Sequence, residues 1–152
     1  MGLDMYFNRK TYVKNWDHNP TKWEVTITKD GKATHVDPEK ITYIIEEVGY
    51  WRKANAIHKW FVDNVQNGND DCGEYYVSPE KMEELLSLCQ EILDNPKAAQ
   101  SILPTTSGFF FGSTEYDEYY LGDIKRTADI LVDALKCYEE NQSSSYYYSS
   151  SW

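Results

Sequence analysis

An α+β fold is predicted from three features of the chain. Residues 3–7 alternate apolar and polar side chains, three later stretches place apolar residues at intervals of three and four, and the final residues form a Tyr/Ser run of strand character. Together they imply a small, mainly antiparallel sheet, built from N-terminal hairpin strands and a C-terminal strand, packed against three helices. At 152 residues the chain fits a single domain, 1–152, large enough to bury a core without staples.

The elements follow in order. Leu3, Met5 and Phe7 against Asp4, Tyr6 and Asn8 predict a half-buried strand within 2–13. The polar, Pro-containing stretch 15–20 is a loop. WEVTIT (23–28) reads as a second strand, Asp30-Gly31 as a tight turn, and 32–36 as the return strand. Asp37 is a good N-cap, Pro38 suits the first helical position, and Gly68 after Asn67 offers a left-handed stop. Between them Ile41, Ile44, Val48, Trp51, Asn55, His58, Val62 and Val65 fall on one seam, which predicts a long helix over about 38–66. An acidic turn, a short strand at 75–77 and a helix opened by Ser78-Pro79 come next. The stripe of that helix is Met82, Leu85, Leu86, Cys89 and Leu93. Asn95-Pro96 breaks it ahead of a short helical turn at 97–102. After a loop around Phe109-Phe110-Phe111, a third helix is expected over about 115–140, with Tyr120, Ile124, Leu131, Leu135 and Tyr138 inward. The tail NQSSSYYYSSSW is read as an ordered strand beside the N-terminal one.

Composition narrows the function classes. Asp and Glu number 25 against 15 Lys and Arg, for a formal charge of -10. General nucleic-acid binding needs phosphate neutralisation and is disfavoured. A basic protein partner, or a small anionic ligand in a local basic pocket, remains compatible. Thirteen Tyr and five Trp are an excess that suits a binding surface as well as a core. Cys72, Cys89 and Cys137 form no C-x-x-C pair, which points away from a zinc or disulfide framework, and no cofactor is expected. Cys89 and Cys137 read as buried thiols. No signal peptide or membrane span is visible, so a soluble, cytoplasmic protein is expected.

Three constellations are candidates for chemistry. Trp51, Asn55 and His58 would share a helix face flanked by Arg52 and Lys59, combining stacking, edge hydrogen bonds and charge for a nucleobase and a phosphate. Against this stands the reading of Asn55 and His58 as core polar groups satisfied by loop backbone. Asp70, Asp71, Cys72, Gly73 and Glu74 form an acidic run without the calcium-loop pattern, better read as a solvated turn. Residues 107–120 hold the third. Ser113 or Thr114 reads as a helix N-cap with Asp117 in the first turn, and the exposed N–H groups there are an alternative anion site opposed by neighbouring carboxylates. Phe109–Phe111 either plug the core or wall a pocket, in which case Phe110 and Tyr116 would line it.

The segments GLDMY (2–6), GYWRKANAIHKWF (49–61), DDCGEYYV (70–77) and LPTTSGFFFGSTEYDEYY (103–120), with the closing Tyr/Ser/Trp strand, resemble a family of small phage and prophage proteins opening with Met-Gly-Leu-Asp-Met-Tyr. Residues 8–36 diverge. The resemblance implies origin rather than activity and carries over no catalytic residues. It suggests an accessory role in the host cytoplasm; joined to the aromatic excess and the candidate residues Trp51, Arg52, Asn55, His58, Phe110, Ser113, Thr114 and Tyr116, the expectation is a counter-defence protein that binds and sequesters a nucleotide-like signal. The alternative is an acidic inhibitor of a host defence or nucleic-acid enzyme. An enzyme ranks third, needing a nucleophile or metal, or His58 assembled by folding with Asp70, Asp71 or Glu74. A homo-oligomer is compatible with any of these.

Overall fold

A computed structural model describes residues 2–152. Its main sheet is antiparallel and four-stranded, in the order β4-β1-β6-β5: β1 is Asp4–Tyr12, β4 Tyr43–Arg52, β5 Tyr75–Val77 and β6 Ser144–Ser151. β2 (Thr28–Lys29) and β3 (Lys32–Ala33) form a separate hairpin around Asp30-Gly31, both residues having positive φ. Four helices complete the fold: α1 Asn55–Asn64, α2 Pro79–Asp94, the single turn α3 Ala99–Ile102, and α4 Glu118–Glu140. The predicted α+β class, the terminal strand beside β1, the strand at 75–77 and the helix at 79–94 are all present.

The long helix predicted over 38–66 does not exist. Its first three residues form a 3-10 turn, Pro38–Lys40, which Asp37 caps by accepting from the Glu39 N–H at 3.0 Å. Its middle is strand β4, and only Asn55–Asn64 is α-helical. A β-bulge explains the misreading. Phe7 pairs with Gly49 and Asn8 with Glu47, leaving Val48 as an extra residue. Ahead of the bulge even-numbered residues face the helices; beyond it Gly49 and Trp51 do. This change of parity turns a period of two into apparent helical spacing across Ile44, Val48 and Trp51. The Gly68 stop is real: φ is +81° and its N–H donates to Val62 O at 2.8 Å. The predicted strands 23–28 and 32–36 shrink to two residues each.

The helix-facing side of the sheet holds the core. Met5 and Phe7 of β1, Trp51 of β4, and Tyr146 and Tyr148 of β6 pack against Ile57 and Phe61 of α1, Leu85 and Ile92 of α2, and Ile124 and Leu131 of α4. Phe61 stacks on Tyr148 with centroids 3.9 Å apart and planes 7° apart. A Cβ on Gly49 would come within 2.9 Å of Ile130 Cγ2, so a glycine there lets α4 lie close on β4. The opposite side carries no helix. Its cross-strand pairs are Tyr6–Tyr50, Tyr12–Tyr43 and Tyr76–Tyr147, with ring centroids 5.6, 5.3 and 5.9 Å apart.

Candidate ligand cavity at the start of the first helix

β4 ends at Arg52, the chain turns through Lys53 and Ala54, and α1 begins at Asn55. Lys53 holds φ +58°, uncommon for a side-chain-bearing residue, and is fixed there by its N–H donating to Leu3 O at 2.7 Å. Ala54 offers no side-chain cap. His58 N–H makes the first intrahelical bond, to Ala54 O at 3.0 Å. Among the described residues the Ala56 and Ile57 N–H groups have no partner, leaving the positive end of the helix open.

That end opens on a cavity of about 280 Å³ between the 52–57 segment, the 105–117 loop and the first turns of α4. Arg52 and Lys53 line one side; Glu115, Asp117 and Asp123 line another; Tyr119 and Tyr120 supply aromatic wall. Arg52 Nη1 lies 3.5 Å from Asp4 Oδ1 and is more than half exposed. Gly112, at φ +82°, brings the loop down on the aliphatic stem of Lys53. Asp123 has no hydrogen-bond or ion-pair partner among the described side chains. Burial pushes its carboxyl up to about 6, with Arg126 opposing and Asp117 reinforcing the shift.

Asn55 does not offer its amide to a ligand. Nδ2 donates to Phe111 O at 2.9 Å and to Ser113 O at 2.8 Å, and Oδ1 accepts from Thr106 N at 3.0 Å. The side chain pins the 105–113 loop over the helix start, so it shapes the cavity wall as a satisfied core group. Trp51 lies on β4 rather than on a helix, is 1% exposed, and donates from Nε1 to Thr127 Oγ1 at 2.9 Å. Lys59 pairs with Asp63 at 2.7 Å on the exposed side of α1.

His58 is also 1% exposed. Its Nε2 lies 2.9 Å from Asp70 Oδ2 and its Nδ1 2.6 Å from the Tyr148 hydroxyl. The Asp70 carboxylate accepts from the Nε2 proton, and in the neutral imidazole Nδ1 is then the acceptor for Tyr148. Burial drives the Tyr148 phenol well above its ordinary pKa, keeping that donor protonated. Asp70 accepts in addition from Trp152 Nε1 at 3.0 Å. The acid–imidazole–hydroxyl order matches a catalytic relay, but Tyr148 is 0% exposed and Phe111 packs edge-on to the imidazole at 5.2 Å. No substrate atom can reach it; it is a strut joining α1, the 70–74 turn and β6. In that turn Asp71 accepts from Gly73 N and Tyr75 Oη at 2.9 and 2.7 Å, and these bonds lower its pKa.

The third constellation also differs from expectation. Asp117, not Ser113 or Thr114, caps α4, accepting from the Tyr119 and Tyr120 N–H groups at 3.1 Å each. The alternative anion site at that terminus is therefore filled by a carboxylate. Ser113 Oγ caps only a local turn at Glu115 N, and Thr114 is exposed, its carbonyl accepting from Thr105 Oγ1 at 2.9 Å. The Tyr116 hydroxyl accepts from Thr105 N at 3.0 Å. The three phenylalanines neither all plug the core nor wall the cavity: Phe111 packs on the core, Phe110 is half-buried, and Phe109 is 93% exposed. Of the predicted site, Arg52, Asn55 and Ser113 border the cavity; Trp51, His58, Phe110, Thr114 and Tyr116 do not. Lys53 and Asp123 were missed. Asp123 was readable, because it falls between Tyr120, Ile124 and Thr127 on the inward side of α4.

No protein-family model, curated protein or solved structure matches the chain.

Proposed function

We propose that the chain binds and sequesters a small anionic, nucleotide-like molecule in the cavity at the start of α1. One observation carries this reading: Arg52, Lys53 and the uncapped N–H groups of Ala56 and Ile57 border the same space as the unpaired Asp123 carboxyl. The first set favours a phosphate or carboxylate. Asp123 favours a hydroxyl or an exocyclic amine on the same ligand. Tyr119 and Tyr120 offer ring surface to a base. At about 280 Å³ the cavity suits a mononucleotide better than a dinucleotide. Together with the resemblance to phage proteins, the reading is removal of a nucleotide-like signal in the cytoplasm of the host cell.

A thermal-shift panel of mononucleotides, cyclic nucleotides and ADP-ribose-type molecules tests it. A concentration-dependent rise in Tm that Arg52→Glu and Asp123→Asn each abolish is expected. No shift with any member of the panel would sink the proposal.

The tyrosine-lined open side of the sheet favours the second reading, a protein-binding inhibitor. Tyr presents large, rigid contact area with a hydroxyl at its tip, as protein-binding surfaces commonly do. Host-lysate capture by the wild type, compared with Tyr43→Ser/Tyr76→Ser, tests that reading separately.

A further inference from the structure

Residues 14–48 contain no buried side chain. The segment nevertheless carries seven large apolar side chains that stand exposed, Trp16, Trp23 and Ile27 among them. It ends in strand β4, which lies at one edge of the sheet, and all five residues Tyr43–Glu47 are exposed. The edge is open over its first three residues: Tyr43 is 54% exposed, Ile45 58%, and no charge or Pro falls within 43–45, the two glutamates and the bulge coming only at 46–48. Ordered chain with so little burial gains little from its own fold.

Charge selects the occupant. The protein carries -10 overall, yet residues 14–45 hold five Lys against five acidic residues and are neutral; Glu46 and Glu47 follow them, the first paired with Arg9. A second copy of an acidic chain meets least repulsion here. We infer that two copies associate across a two-fold axis through their β4 edges, joining the two sheets into one of eight strands. Antiparallel pairing about Ile44 sets Ile44 against its own copy and Tyr43 against Ile45. The same register puts Glu46 opposite Thr42, and Arg9 already holds the Glu46 carboxylate at 3.0 and 2.5 Å. Centring on Ile45 instead would oppose Ile44 to Glu46 and Tyr43 to Glu47. The 14–42 arms then pack across the seam, enlarging it toward the roughly 1,200–2,000 Å² of a stable interface.

Sedimentation and light scattering from low micromolar to submillimolar concentration test this. A dimer is expected for the wild type and a monomer for Ile45→Lys and Tyr43→Lys, both exposed positions that leave the core intact. With Cys72→Ser as background, Ile44→Cys should give a disulfide-linked dimer on mild oxidation and Glu46→Cys should not. A wild type monomeric throughout overturns the inference. So does a dimer that survives both Lys variants, or cross-linking at position 46 rather than 44.

Discussion

Asn55 is bonded to three backbone groups of a loop far away in sequence, and its replacement separates two roles that the sequence alone leaves entangled. Asn55→Ala strands the Phe111 and Ser113 carbonyls and the Thr106 N–H, and it should cost about 3 kcal/mol in denaturant unfolding. Asp123 behaves differently. Its carboxyl titrates near 6 in the fold and near its ordinary, lower value when unfolded, so the native state binds more protons between those values. Stability contributed by protonated Asp123 is therefore full at low pH and lost as pH rises through about 6. Asp123→Asn should be more stable than wild type at pH 7, by on the order of 1 kcal/mol, and equal to it near pH 3. An unchanged difference at both pH values would refute the assignment. Both residues were legible as polar interruptions of apolar seams. What Asn55 meets was not, because its loop partners lie 51 to 58 residues away in sequence, and Asp123 has no side-chain partner to read.

At the scale of elements, the helices were read best where cap and stripe agree. In α2, Ser78 accepts from the Lys81 N–H at 3.2 Å and Met82, Leu85, Cys89 and Ile92 are buried, so its boundaries followed from local chemistry. α4 starts three residues later than expected because the Asp117 carboxylate reaches two N–H groups that Ser113 and Thr114 do not. Asp117→Ala should lower stability by about 1 kcal/mol. The same loss from Ser113→Ala, with none from Asp117→Ala, would contradict that cap. β4 was the real failure. Its bulge shifts side-chain parity by one, and no local signal in Glu47-Val48-Gly49 announces it. Only pairing with β1 reveals that Val48 is the extra residue.

For the molecule as a whole, the sheet depends on its most distant strand. β6 sits between β1 and β5, and its Tyr146 and Tyr148 are core residues. A chain cut after Asn141 should therefore show no cooperative thermal transition rather than a modestly lowered Tm. The α+β class and a strand beside β1 were readable from the sequence. The sheet order was not, since Tyr/Ser alternation says nothing about which neighbour it serves. Among the described residues no helix is long and apolar enough to cross a membrane.

The inner position of β6 also bears on how the protein is made. Asp4 pairs with Ser151, so β1 waits for almost all of the residues between them before one of its two neighbours exists. At roughly 5–20 residues per second, that wait lasts on the order of ten seconds. During it Met5 and Phe7 lack the cover that Tyr146 and Tyr148 of β6 later supply. The sheet closes only once residues 144–151 have been made.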